Sequence, residues 1–211
     1  MKQSKDVMFA RLVNFRVDPQ KLQTHFLEHV KLLPATPYRD NRVDYIGWSV
    51  TSRDGTLADG IRRISPNQAG TRGIMPTEVC TGYLAEVMDG LHDYGLRPYR
   101  ARIMQLESEG GEMPLHSDAT KETWRLHVPI ITNANCFFEW QRADGSIESV
   151  HLPADGSVWL VRVDVTHRAV NRSDEPSNRV HLLMGLTANP DFRMLTEPWL
   201  PVLREEAQSQ S

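Results

Sequence analysis

The second half of this chain contains a series of short apolar runs typical of β-strands. Each run has fewer than ten residues, and the segments that separate the runs contain Gly, Asp, Asn or Pro, which favour turns. The tripeptide Ala143-Asp144-Gly145 is a strong hairpin-turn signal between two of them. We predict six strands, at residues 99–106, 124–131, 136–140, 149–152, 157–165 and 179–186. Strands of this number and spacing favour a β-sandwich or jelly roll.

Two helical patterns precede the strands. Asp18 followed by Pro19 is typical of a helix start, and apolar residues then recur at helical spacing as far as Pro34. A second helical face runs from Thr77 to about Leu91. Residues 37–76 between them predict long loops around one or two strands, one of them at 45–50. The predicted fold class is therefore mainly β (α+β), with N-terminal helices packed outside a jelly roll.

The composition limits the cell compartment and the classes of binding partner that we expect for this protein. The net charge of −3 and pI near 6.2 provide no general attraction to nucleic acid. Polar residues interrupt the N-terminal apolar stretch, and no run reaches the ~18 apolar residues of a membrane span. Cys80 and Cys136 are the only cysteines, which suits reduced thiols in a cytoplasm. We expect a cytoplasmic protein with one domain over residues 1–195 and a disordered tail over 196–211.

One tripeptide in the β-rich half predicts a metal site. His116-Ser117-Asp118 places an imidazole and a carboxylate two residues apart, on the same side of an extended segment. His167 follows the apolar run 157–165, so we expect it at the end of another strand. Two imidazoles and one carboxylate on one face of Fe(II) leave positions for an oxo-acid and O2. Chance supplies roughly half an HxD per chain of this composition, so the prediction depends on this context.

Three further polar residues lie in apolar strands. Arg179 begins the run 179–186, where a guanidinium is costly to bury unless it meets an anion. Its planar fork suits the distal carboxylate of 2-oxoglutarate, although an edge-strand arginine reaching solvent fits the pattern too. Arg125 and His127 alternate with apolar residues and would suit a carboxylate of the oxo-acid or of a substrate. A solvent-facing strand surface explains that alternation equally well.

Linked motifs around these residues resemble one family. The block Gly110-Gly111-Glu112-Met113-Pro114-Leu115-His116-Ser117-Asp118, then Arg125-Leu126-His127-Val128-Pro129-Ile130, resembles the aspartyl/asparaginyl β-hydroxylases. So does Asp164-Val165-Thr166-His167-Arg168-Ala169-Val170-Asn171 together with Arg179-Val180-His181-Leu182-Leu183. The resemblance covers roughly residues 99–187. It implies a double-stranded β-helix that uses Fe(II), 2-oxoglutarate and O2, in a family that includes bacterial cis-proline hydroxylases.

Position by position, the resemblance implies a role for each residue. His116, Asp118 and His167 would bind iron, and Arg179 would anchor the distal carboxylate of 2-oxoglutarate. Arg125 and His127 would also contact the cosubstrate, with His127 near its C1 end. The interval from His167 to Arg179 is slightly longer than the family's usual ten or so residues, which leaves Arg172 as a weaker candidate anchor.

The presence of Asp118 shapes the expected reaction. Some family members that act on residues in proteins lack this carboxylate, so the chain looks more like the hydroxylases of small molecules. A halogenase would need the position that Asp118 occupies. We therefore expect hydroxylation of a C–H bond in a free amino acid or a small amino-acid-containing molecule. The alternatives are an aspartyl/asparaginyl hydroxylase acting on a peptide or protein, and a non-enzymatic cupin-like metal-binding module.

The N-terminal half offers candidates for substrate contact. Its loops carry many arginines and few acids, and a guanidinium could bind a substrate carboxylate, although most such residues are solvated surface charges. These arginines are Arg39, Arg42, Arg53, Arg62, Arg63 and Arg72. Three aromatic residues, Tyr45, Trp48 and Trp124, could line a pocket or fill the core.

Overall fold

The computed structural model of this protein describes residues 7–39, 42–61, 73–108, 111–118, 123–174 and 176–187. The expectation for the tail at 196–211 lies outside these residues, as do those for Arg62, Arg63, Arg72 and the side chain of Arg42. None of the helices in this described part is long and apolar enough to cross a membrane. Cys80 and Cys136 are both free, as predicted.

Two β-sheets form the main body of the described structure. The larger sheet has seven strands, in the order β1 (Phe9–Arg16), β10 (Ser157–Arg162), β7 (Trp124–Ile131), β12 (Arg179–Leu186), β6 (Pro98–Leu106), β3 (Arg42–Ser49) and β2 (Thr36–Arg39). The smaller has β11 (His167–Asn171), β8 (Cys136–Gln141) and β9 (Ile147–Val150). A short ladder joins β4 (Thr51–Ser52) to β5 (Met75–Pro76).

The chain crosses repeatedly between the two main sheets. From β7 onward it passes from the large sheet to β8 and β9, back to β10, out to β11 and back to β12. The pairs within each sheet are antiparallel. This alternation confirms the predicted double-stranded β-helix, because it brings the ends of strands from both sheets to a common mouth.

Each face of the large sheet contributes to a different core. One core joins that sheet to the helices, and it includes Leu22, Phe26, Leu84, Leu126 and Leu182. The other core lies between the sheets, and it includes Phe9, Met104, Phe138, Trp140 and Leu183. Alternation of side chains along each strand produces this division. Residues that could contact a ligand between the sheets are therefore separated from the helical layer.

The helical layer begins as the sequence predicts. α1 (Pro19–His25) is capped by Asp18, whose carboxylate accepts hydrogen bonds from the backbone amides of Gln20 and Lys21, both at 3.0 Å. It continues as a π-helical turn at Phe26–Val30. The second helix, α2 (Gly82–Asp93), starts later than predicted. The Thr77 hydroxyl contacts the carbonyls of Ser49 and Val50 instead, and residues 78–80 after it form a turn.

Candidate metal centre

His116 and His167 face each other across a backbone bridge. The His116 amide donates to the His167 carbonyl at 3.0 Å, and the His167 amide donates to the His116 carbonyl at 2.8 Å. The two ring centroids are 4.5 Å apart. His167 is the first residue of β11, not the end of the preceding strand as we predicted, because residues 163–166 turn between β10 and β11. The segment before Asp118 runs along this strand, so the fold positions both imidazoles.

Both imidazoles have the same tautomer, set by the backbone. Nδ1 of His116 lies 2.8 Å from the Pro114 carbonyl oxygen, and Nδ1 of His167 lies 2.8 Å from the Val165 carbonyl oxygen. A carbonyl oxygen only accepts, so each Nδ1 carries a proton, and in the neutral ring Nε2 keeps its lone pair. Histidines that bind metals usually make this second hydrogen bond, which fixes the orientation of the ring. Both Nε2 atoms are therefore ready to bind a cation.

Asp118 completes the set of donors. Its Oδ1 lies 3.7 Å from Nε2 of His116, and one ligand atom from each of His116, Asp118 and His167 lies within 4.8 Å of the others. Oδ2 lies 2.6 Å from Nη2 of Arg125. Burial raises the pKa of Asp118, but the charge of Arg125 and then the two imidazoles outweigh that effect and lower it. The carboxylate is therefore anionic, and this donor set fits a divalent iron ion.

Packing and burial keep the His167 ring neutral. The ring stacks on Phe138 at 5.3 Å with an interplanar angle of 12°. Burial, above all, lowers the pKa of His167 to about 4, so no proton competes for Nε2 near neutral pH. Phe138 also contacts His127 edge to face at 5.3 Å. This ring therefore lies between the metal donors and the deeper space between the sheets.

That deeper space is lined by polar groups without partners. Arg179 is 2% exposed, and its Nη2 has no hydrogen-bond partner among the described residues. The same holds for both ring nitrogens of His127 and of His181. Burial, and then the charge of Arg179, lower the pKa of both histidines well below the usual range, so the rings are neutral. Leaving so many buried polar atoms unsatisfied is costly, which indicates a polar ligand between the sheets.

Other predicted residues lie away from this space. Arg172 pairs with Glu139 at 2.6 Å and lies over Phe137, so it does not share the interior with Arg179. Arg39 is exposed, and Arg53 pairs with Asp59. Trp48 and Trp124 belong to the core beside the helices, where they cannot line the interior. Tyr45 does lie between the sheets, and burial raises the pKa of its phenol.

The sequence analysis assigned no role to His181 or to the arginines at the start of β6. His181 follows Arg179 by two positions, so strand alternation alone places both on one face, and this signal was available. Arg100 and Arg102 lie at the start of β6 and line a cleft with Arg125. The sequence shows them only as two more arginines. The pairing of β6 with β12, and of β12 with β7, brings them together.

A family model supports the motif pattern. The model described as "Aspartyl/Asparaginyl beta-hydroxylase" matches residues 79–188, slightly more than half of the chain. The match contains all six residues that we predicted at the metal and cosubstrate sites. A search of curated proteins found no match.

Solved structures share the fold. A 2OG-Fe(II) oxygenase family oxidoreductase from Burkholderia pseudomallei has a TM-score of 0.58 and 14% identity, covering 87% of this chain and 86% of its own. HygX from Streptomyces hygroscopicus, solved with nickel, 2-oxoglutarate and hygromycin B bound, has a TM-score of 0.53 and 10% identity, covering 86% and 83%. A prolyl hydroxylase from Trichoplax adhaerens, in complex with a hypoxia inducible factor peptide fragment, has a TM-score of 0.52 and 10% identity, covering 87% and 85%.

Proposed function

This chain belongs to the aspartyl/asparaginyl β-hydroxylase family and is a 2-oxoglutarate-dependent dioxygenase, and from that premise we propose that it hydroxylates a C–H bond of a free amino acid or a similar small molecule. The observation that carries the proposal is the paired tautomers of His116 and His167. Together they leave Nε2 of each ring available to a metal ion, beside the Asp118 carboxylate. A purely structural histidine pair would not need this arrangement.

The residues of the metal centre have distinct roles in this proposal. His116, Asp118 and His167 hold Fe(II), which when bound activates O2 and couples decarboxylation of 2-oxoglutarate to oxidation of the substrate. The Pro114 and Val165 carbonyls orient the two imidazoles through Nδ1. Arg125 keeps Asp118 ionised.

The deeper polar groups fit 2-oxoglutarate. We assign Arg179 to its distal carboxylate, because a buried guanidinium with an unsatisfied Nη2 suits a bidentate carboxylate. His127 contacts the Phe138 ring edge to face at 5.3 Å, and the same ring stacks on His167, so Phe138 connects His127 to the metal donors. His181 meets His127 edge to face at 5.8 Å and is a further candidate donor to the cosubstrate. Arg125 and His127 would then contact its C1 end.

Two observations bear on the size of the substrate. Asp118 is present, which by family resemblance favours a small molecule, and HygX was solved with the small molecule hygromycin B. The Trichoplax prolyl hydroxylase was instead solved with a peptide fragment, which keeps a peptide-borne residue as the second candidate. A non-enzymatic metal module is not retained, because the family consists of hydroxylases.

Turnover with matched substrates tests the proposal. The purified protein is incubated with Fe(II), ascorbate and 2-oxoglutarate, together with each free amino acid or with that residue inside a capped tripeptide. We expect succinate release and a product heavier by one oxygen atom with a free amino acid. Turnover with capped tripeptides alone would favour the second candidate. The absence of stimulated succinate release with either set would overturn the proposal.

Metal content provides the control for this experiment. We expect His167→Ala to lose bound iron. His92→Ala changes an exposed histidine in the last turn of α2 and should keep it. Equal iron content in the two variants would contradict the assignment of His167.

A further inference from the structure

A cationic cleft opens beside the metal donors, at the mouth between the sheets. It is lined by Tyr99, Arg100, Arg102, Arg125, Met184 and Gly185, and it encloses about 210 Å³ including the part open to solvent. Three of these six residues are arginines, from the first residues of β6 and β7, which lie on the same side of the sheet on either side of β12. The cleft adjoins the metal centre directly, because Arg125 is also the partner of Asp118.

Arg102 is the most informative residue of this cleft. It is 5% exposed, and in the described part of the chain no carboxylate lies within hydrogen-bonding distance of it. In that part it contacts the Gly60 carbonyl, at 3.2 Å from Nη1, and the Tyr38 ring, whose centroid is 6.0 Å from Cζ. A carbonyl and an aromatic face compensate a buried guanidinium only in part. Among the described residues the charge of Arg102 is therefore left without an anionic partner, which favours binding of an anionic ligand.

Repulsion between neighbouring arginines adds to this preference for an anion. Burial, and then the positive charge of Arg125, lower the pKa of Arg102. Burial, and then the charges of Arg102 and Arg125, lower the pKa of Arg100 in the same way. Asp118 attracts all three, but it is a single carboxylate already paired with Arg125 and directed at the metal centre. Arg102 therefore lies buried beside other positive charges in this part of the structure.

The local backbone is shaped to form the cleft. Arg100 has φ of +47°, in the left-handed region that a non-glycine residue rarely adopts. The pairing of β6 with β12 shifts at this point, between Leu183 and Gly185. A Cβ on Gly185 would lie 2.7 Å from the Tyr99 ring, so only glycine lets that ring lie against the strand. Strain and irregular pairing of this kind concentrate at functional sites.

We propose that Arg102, assisted by Arg100, binds the carboxylate of the substrate in this cleft, so that the enzyme selects a compact carboxylic acid such as an unblocked amino acid. The inference rests on the proposed function, which supplies the reaction and the metal centre. Arg179 lies at the other end of the interior. It pairs with Leu106, whereas Arg102 pairs with Leu183, four positions further along β12. The two ends thus provide separate sites for two carboxylates, one from the cosubstrate and one from the substrate.

Matched acid and amide ligands test this assignment. The panel contains each of the common L-amino acids and its carboxamide, titrated by calorimetry into the protein loaded with Ni(II) and 2-oxoglutarate. We expect at least one acid to bind about 10- to 100-fold more tightly than its amide, because a charge-assisted hydrogen bond is lost. In Arg102→Gln this preference should fall to within about threefold, with 2-oxoglutarate affinity preserved.

Other results of these titrations would contradict either the assignment of Arg102 or the proposed function. If Arg102→Gln weakens 2-oxoglutarate instead, the cleft holds the cosubstrate and the inference is wrong. Equal binding of acid and amide to the wild type, or no binding by any acid, also overturns it. If the wild type fails to bind 2-oxoglutarate at all, the proposed function itself fails, and the two failures are thereby distinguished.

Measuring the Tm of the variants distinguishes a ligand-binding role of Arg102 from a role in the stability of the fold. Removing a charge from a repelling cluster should leave Tm unchanged or raise it in the absence of ligand. Arg142→Gln serves as the control, because it removes an arginine that pairs with Glu148 at the β8–β9 hairpin. It should keep the full preference for acid over amide. A lower Tm in Arg102→Gln, with the same preference as the control, would show that Arg102 serves only the fold.

Discussion

The carboxylate of Asp118 is shared between Arg125 and the candidate metal centre. Oδ2 lies 2.6 Å from Nη2 of Arg125, while Oδ1 lies 3.7 Å from Nε2 of His116. The guanidinium thus stabilises the anionic form in a site where burial alone would raise the pKa. Arg125 also lines the cationic cleft, so it connects that cleft to the candidate metal centre.

Replacing Arg125 by Met should weaken metal binding. A polar group that supports a metal ligand typically contributes about 10- to 100-fold in affinity, and we expect a loss in that range. Without the guanidinium, burial would raise the pKa of Asp118, so the loss should grow as the pH falls. Calorimetric titration with Ni(II) measures it. Arg168→Met, which removes the partner of Glu139 and Glu112, should bind Ni(II) like the wild type. Identical affinities in both variants would refute this role of Arg125.

Arg179 and Arg172 form a matched pair for testing the cosubstrate anchor. Arg179→Gln should raise the Kd for 2-oxoglutarate by roughly 10- to 100-fold, because it removes charged donors from a buried carboxylate site. Arg172→Gln should leave that Kd unchanged, since Arg172 pairs with Glu139 outside the interior. Titrating 2-oxoglutarate into the Ni(II)-loaded protein compares them. A larger effect at Arg172 would reverse the assignment.

The buried histidines predict a pH-dependent stability. His127 and His181 have pKa values well below 6.5 in the folded protein, mainly because of burial, and near 6.5 when unfolded. Below about pH 6.5 the unfolded chain therefore binds more protons, and each histidine costs up to about 1.4 kcal/mol of stability per pH unit. Urea unfolding of His181→Gln should show a shallower loss toward low pH than the wild type.

His92→Gln provides the comparison for this measurement. Because His92 is exposed in α2, the variant should keep the wild-type dependence on pH. If His181→Gln and the wild type lose stability in parallel, His181 does not enter the folded protein as a neutral group.

Phe9 should contribute strongly to stability. Its ring stacks on Trp140 of the small sheet at 5.8 Å and contacts Trp159 of the large sheet at 6.2 Å. Truncation to alanine would leave a cavity between the sheets, and we expect Phe9→Ala to cost about 3 to 5 kcal/mol. Phe15→Ala, at a partly buried ring beside Tyr94, should cost less. Denaturant unfolding of both variants measures the difference, and equal losses would contradict the expectation.

Local patterns predicted the strands that are apolar along most of their length. β7 and β12 begin and end where the sequence indicated, because turn residues bound a predominantly apolar run in each. β1 was not predicted, since Arg11, Asn14 and Arg16 break its pattern, and Asn14 has φ of +56°. Pairing with β10 stabilises this strand, and tertiary pairing of this kind leaves no local signal.

The candidate site likewise contains residues that the sequence predicted and residues whose role depends on tertiary packing. His116, Asp118 and His167 could be singled out because few residue types bind Fe(II) and their spacing is restrictive. The role of Arg102 could not be predicted, since its burial depends on β3 and β12 packing on either side of β6. The sequence instead directed attention to loop arginines such as Arg53, which the structure pairs with Asp59.

The two cores on opposite faces of the large sheet have a consequence for how this protein can change. A substitution at Leu126 acts on the packing against the helices, whereas a substitution at Arg125 or His127 acts on the space between the sheets. Alternate positions of one strand can therefore vary for different reasons. Selection for heat resistance and selection for a new substrate would act on interleaved residues without competing for the same ones.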